Sequence, residues 1–230
     1  ILEDEEPTLN VSFNAELSEI WLHTMGEIQL EVLAAEVKRR FGTEVSFGEC
    51  KIMYRETIKN EVICSGHFEP LRHYAEVLLK LSPAPRGSGI LFESAVGVDG
   101  LQKNYQNLIK THVFEKVHKG VLCGAPLTDI KITLLAGAAH EKHTSGGDFR
   151  EAVYRAIRQG VFKAESVLLE PFYEFEIIAP HDMCGRILAD MEMMHADTLP
   201  PQNLANAVKI CGKVPVFSAS GYASQLKIFS

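Results

Sequence analysis

Apolar residues along this chain switch repeatedly between a period of two and a period near 3.6, and the switches fall at glycines, prolines or short polar clusters. A chain written this way folds as short strands and amphipathic helices packed in layers, an α+β architecture. Alternation runs through residues 9–13 (LNVSF) and 19–23 (EIWLH), on either side of the turn-like Asn14-Ala15-Glu16. Helical spacing then takes over. Ile28, Val32, Leu33, Val37 and Phe41 predict a helix across 27–41 that Gly42 stops. Thr43 to Phe47 reads as another short strand, so the chain opens with most of a split βαβ unit.

The middle of the chain predicts strands over 52–57, 61–65, 75–81, 90–96 and 128–135. A polar loop, Gly66-His67-Phe68-Glu69-Pro70, separates the second and third of these, and the run SPAPRGSG (82–89) is the strongest break. Leu101, Tyr105, Leu108, Ile109, His112, Val113 and Val117 make one helical face ending at Gly120. Phe149, Ala152, Val153, Ala156, Ile157 and Val161 make another. Beyond Glu170-Pro171 come a strand at 172–178, a helix at 182–194, extended pieces at 207–211 and 214–217, and a helix at 222–228. The expected organisation is three units, 1–52, 53–168 and 169–230, the outer two being truncated ferredoxin-like (split βαβ) domains.

Composition narrows the function. The chain is 46% hydrophobic and 23% charged, as soluble globular proteins are. No apolar run reaches the roughly 18 residues a membrane helix needs. The opening ILEDEEP has no basic stretch followed by an apolar core, so no signal peptide is expected, and it reads as a cut piece of something longer. Five isolated cysteines suit a reducing, cytoplasmic setting. A net charge of -7 argues against polyanion binding over the whole surface, while allowing a local basic tip.

The stretch AHEKHTSGGDF (139–149) concentrates the chemistry. His140-Glu141-Lys142-His143 is one residue short of the HExxH spacing that puts two zinc-binding histidines one helical turn apart. His143, Asp148 and Ser145 contain the residue types of a catalytic triad but no nucleophile elbow. A solvated loop is the plain alternative. Arg150, Arg155 and Arg158, with Lys142 and the two histidines, make either a solvated basic face or a phosphate-contacting one. Gly87-Ser88-Gly89 could cradle a phosphate, although a strand rather than a helix follows it, and no P-loop motif occurs.

Three motifs resemble successive domains of one family. Thr24-Met25-Gly26-Glu27-Ile28-Gln29-Leu30-Glu31, Tyr54-Arg55-Glu56-Thr57 and Leu168-Leu169-Glu170-Pro171 are similar, in order and spacing, to the third, fourth and fifth domains of elongation factor G-type translational GTPases. SPAPRGSG, Glu93-Ser94-Ala95-Val96 and Asp148-Phe149-Arg150 resemble the tetracycline ribosomal-protection branch. The resemblance implies a central domain with a ribosomal-protein-like fold. Its tip would be His140, Glu141, Lys142, His143, Thr144, Ser145 and Gly146, reaching RNA of the small-subunit decoding region. The loops 65–74 and 137–147 would lie at its far end, the second tip loop being Ser65, Gly66, His67, Phe68 and Glu69, with Arg150, Arg155 and Arg158 touching phosphate. GTP and Mg2+ would belong to an N-terminal domain outside this sequence, so no enzymatic activity is expected of the 230 residues, and no catalytic, cofactor or metal residue is assigned. The resemblance implies the ribosome as partner, a monomeric state and, as the expected role, displacement of a bound drug such as tetracycline. The alternatives are elongation factor G-type translocation and a small-molecule kinase-like enzyme using Gly87-Ser88-Gly89.

Overall fold

The computed structural model describes residues 5–14, 19–24, 27–48 and 50–229. Two compact units emerge, Ile1–Lys51 and Ile52–Ser230. In the first, β1 (Ser12–Asn14) pairs antiparallel with β2 (Glu19–Trp21), placing Phe13 opposite Ile20. The turn expected at Asn14-Ala15-Glu16 falls largely outside the described residues, as do Met25-Gly26. Helix α1 (Glu27–Phe41) ends as its sequence requires. Lys38, Arg39 and Arg40 face the negative end of its dipole, and Gly42, at φ +65°, donates its N–H to Lys38 O. Arg40 clamps Glu5 with two hydrogen bonds of 2.8 Å. Of the expected apolar face, Leu33 is buried and Val37 half-buried, whereas Val32 and Phe41 are exposed. Thr43 to Phe47 forms no strand, because no ladder partner lies beside it among the described residues.

The second unit begins with β3 (Arg55–Ile58), β4 (Val62–Phe68), β5 (Ala75–Pro83) and β6 (Ile90–Ser94). Helix α2 (Lys103–Phe114) leads to β7 (Ile130–Ala139), helix α3 (Gly146–Lys163) and β8 (Ser166–Leu169). One sheet has the order β4-β5-β7-β6, antiparallel except for the β6–β7 pair, which α2 joins as a crossover. β3 and β8 form a separate ladder that ties the two ends of this region together. The predicted face of α3 is the core: Phe149, Ala152, Val153, Ala156, Ile157 and Val161 are each exposed by 2% or less. They pack on Cys64, Val77, Leu79, Leu81, Ile132 and Leu134 of the sheet. Burying each large side chain contributes about 1.5–3 kcal/mol.

Two boundaries differ from expectation for stated reasons. β4 continues through Gly66, His67 and Phe68, which pair with Val77, Glu76 and Ala75, so Ser65 to Phe68 is strand rather than loop. Gly66 marks a close approach, not a turn: α3 passes directly over it. Helix α2 stops at Phe114, short of Gly120, and Val117 is 67% exposed. The reason is Glu56, which is fully buried and accepts N–H bonds from Leu122, Cys123 and Ala125, drawing that segment back to β3.

The remainder of the unit contains β9 (Phe172–Ala179), α4 (Cys184–Met193), the two-residue strands β10 (Asp197–Thr198) and β11 (Gln202–Asn203), β12 (Val208–Pro215) and α5 (Tyr222–Phe229). The piece expected at 207–211 and the start of that expected at 214–217 belong to one strand, paired with β9 along its whole length, whereas Val216 and Phe217 open a short helix, Val216–Ala219, rather than an extended segment. Ala179, Ile187, Met191, Val208 and Ile210 form the core here. Glu174 and Glu176 pair with Lys213 and Lys209. No helix among the described residues is long and apolar enough to cross a membrane.

Candidate functional site

Strand directions bring two turns to one end of the β4-β5-β7-β6 sheet. The first, 69–74, follows β4. His73 donates its backbone N–H to Pro70 O at 2.8 Å, Arg72 sits at φ +66°, and Leu71 is 91% exposed. The second, 140–145, follows β7. His143 and Thr144 both donate to His140 O, and the Thr144 hydroxyl accepts the His140 N–H at 2.7 Å. The His140 and His143 rings stack with centroids 4.6 Å apart, and His140 Nδ1 accepts the Lys142 N–H.

The turns are clasped into one body. Tyr74 donates its N–H to His143 O at 3.0 Å, and the Thr144 hydroxyl donates to Tyr74 O at 2.6 Å. Asp148, in the first turn of α3, completes the clasp. Its carboxylate accepts the Ser145 N–H (2.8 Å), the Ser145 hydroxyl (3.0 Å) and His73 Nδ1–H (2.9 Å). Burial pushes this carboxyl up, but the Ser145 and His73 donors outweigh it and hold the group below the ordinary range. The acid also suits the positive end of the helix. Behind it, His112 donates Nε2–H to Gly146 O at 3.0 Å, fixing the helix start from α2.

Of the residues singled out from sequence, His140, Glu141, Lys142, His143, Ser145 and Gly146 are exposed at this end, and Thr144 is half-buried. Ser65 and Gly66 lie further down β4, where the Ser65 N–H donates to Gln159. His67 is bound to Glu69 at 2.9 Å. The arginines are engaged with the protein. Arg150 grips Glu115 through Nε at 2.7 Å and Nη2 at 3.4 Å, and the Tyr154 hydroxyl donates to the same carboxylate. Arg150 first, then Tyr154, holds the Glu115 carboxyl down to about 2. Arg155 donates to His67 O at 2.9 Å and lies over the Phe68 ring, and Arg158 lies over Phe162. Leu71, Arg72 and His73 fall within the 65–74 loop expected at the far end, but no role was assigned to them one by one, since an exposed turn residue has no periodic signature in a sequence.

The other readings find no geometry. Face-to-face rings do not converge His140 and His143 on a common ion, and no metal-binding group of three or more ligands occurs among the described residues. The histidine that binds Asp148 is His73 rather than His143, and the Ser145 hydroxyl donates to the same carboxylate, so the His143, Asp148 and Ser145 set is not arranged as a triad. In 85–89 the Gly89 N–H donates to the buried Asp129 carboxylate, with Arg86 3.7 Å from its other oxygen. A carboxylate already fills the position a phosphate would take.

Residues 1–49 match the sequence model of elongation factor G domain III, residues 50–165 that of elongation factor G domain IV, and residues 167–230 that of the elongation factor G C-terminus. Elongation factor G of Aquifex pyrophilus is 30% identical over 227 residues, covering 97% of this chain and 32% of that protein. A crystal structure of a protein from Thermus thermophilus superposes with a TM-score of 0.77 at 29% identity, covering 97% of this chain and 34% of that one. The chain thus spans about a third of the relatives it matches, with the three domain models following one another along it, and it belongs to the elongation factor G family.

Proposed function

We propose that this chain is the ribosome-engaging portion of an elongation factor G-type translation factor. Its paired turns enter the decoding region of the small subunit, and movement of messenger and transfer RNA is driven by GTP hydrolysis in a domain outside these residues. The observation that carries the reading is the clasp. Two turns from separate strands are locked into one exposed projection, on a scaffold that matches the family across 97% of its length. A factor that must displace an RNA ligand needs such a rigid tip, since a loose loop would yield instead of pushing.

The test is a translocation assay with purified ribosomes and a full-length factor carrying this chain. Replacing 140–145 by glycine and serine is expected to abolish advance along messenger RNA while GTP is still hydrolysed. Loss of both activities together, or of neither, overturns the division of labour.

Drug displacement is the second reading, favoured by SPAPRGSG and Asp148-Phe149-Arg150. These residues act within the fold: Gly89 binds Asp129, Asp148 clasps the turns, Phe149 is core and Arg150 pairs with Glu115. They therefore separate the branches weakly. Release of labelled tetracycline from ribosomes by the GTP-bound factor supports this second reading, and retention of the drug during active translocation rejects it.

A further inference from the structure

Resting on the proposed placement at the decoding region, we infer that the tip recognises RNA through the faces of unstacked bases rather than through phosphates, with Leu71 as its leading contact. The charges argue against a phosphate clamp. Residues 69–74 carry Glu69 and Arg72, and residues 140–145 carry Glu141 and Lys142, so the formal charges of the two turns cancel. The arginines behind the tip offer no replacement. Arg150 is held by Glu115, and Arg155 by His67 O and the Phe68 ring. Affinity drawn from phosphates needs several free cations, each releasing a counterion.

Beside these balanced charges the tip presents one exposed leucine and a stacked pair of imidazole rings. Leu71 is 91% exposed in the first turn and takes no part in the core of the domain. The turn that offers it is held rather than slack. Arg72 adopts the left-handed region at φ +66°, costing about 1 kcal/mol for a residue with a Cβ. The His73–Asp148 and Tyr74–His143 bonds keep it there. In the second turn, clasped to the first through Tyr74 and His143, the rings of His140 and His143 stack, and both residues are exposed. A fixed apolar side chain enters between bases as a wedge, and imidazole rings stack on bases that have left the helix.

The experiment measures the affinity of the 230-residue chain for purified small ribosomal subunits, from about 50 to about 200 mM salt, together with protection of unpaired bases from chemical methylation. Leu71→Ala removes no core contact and is expected to weaken binding about tenfold at every salt concentration, with base protection lost. The double variant Arg72→Gln/Lys142→Gln is expected to change affinity by less than about twofold. The opposite pattern, a salt-dependent loss in the double variant and none in Leu71→Ala, makes the tip a phosphate clamp and overturns the inference while leaving the ribosomal reading intact. Weakening by Leu71→Ala without base protection assigns the contact to a ribosomal protein and also overturns it. Absence of binding, or binding indifferent to all three substitutions, removes the ribosomal reading itself.

Discussion

Gly66→Ala separates a structural from a contact role for a residue expected at the tip. A Cβ at this position would lie 1.8 Å from Ala152 O, 2.7 Å from Ala152 C and 2.8 Å from Ala156 N, all backbone atoms of α3. Backbone inside a helix cannot rotate aside as a side chain can. Even a tight 3.0 Å contact therefore requires α3 to retreat from the sheet by about 1.2 Å. That retreat loosens Phe149, Ala152, Val153, Ala156, Ile157 and Val161 together, all of them core. Overpacking costs about 1–3 kcal/mol in ordinary cores, and a backbone clash belongs at the upper end, about 3 kcal/mol. For a chain of this size that lowers the melting temperature by about 6–12 °C. Far-UV circular dichroism on heating, supported by calorimetry, reads the shift. An unchanged midpoint would falsify the close-approach argument, and unchanged stability with lost ribosome binding would restore Gly66 to the contact surface.

Glu56→Ala should destabilise the domain by about 3 kcal/mol, because the Leu122, Cys123 and Ala125 amides lose their acceptor in a buried setting. Hydrogen exchange should show 120–125 opening first, and equal protection throughout would contradict that anchoring role. The Glu115 carboxyl titrates at about 2 when folded against an ordinary 4.5, so its contribution is present above pH about 4.5 and is lost as pH falls toward about 2. Glu115→Gln should therefore flatten the stability profile over that acid window, and a profile identical to wild type would refute the Arg150 pairing. Burial pushes the Cys64 thiol up to about 11, so alkylation near neutral pH should label the exposed Cys50 and Cys123 and reach Cys64 only on unfolding. Rapid labelling of Cys64 in the folded chain would mean the sheet–helix interface is open.

The sequence was most legible where one interface dictates a period. Along α3 each core residue was readable because a helix on a sheet must repeat its apolar contacts every three or four positions. The α+β class followed from the same signal. Strand ends were less legible: Gly66 to Phe68 looked like loop because glycine and polar residues mark turns in most chains, while here the glycine makes room for a crossing helix. β12 looked like two pieces because Gly212 interrupts the apolar run, yet that glycine packs against Phe175 and Asp197 O. Glu56 lay within a motif that identified the family, and its role as the acceptor for a distant loop could not be read from the motif.

By itself the sequence determined the family, the fold class, the core face of α3 and the position of one polar loop after β7. Each is local or periodic, and local chemistry survives in a one-dimensional string. Only the tertiary structure decided which charges are free. Arg150 meets Glu115 and His73 meets Asp148 across 35 and 75 residues. A pairing of that separation is set by how strands and helices pack, because no backbone period links its two partners. The same packing leaves Leu71 in water at the end of the sheet.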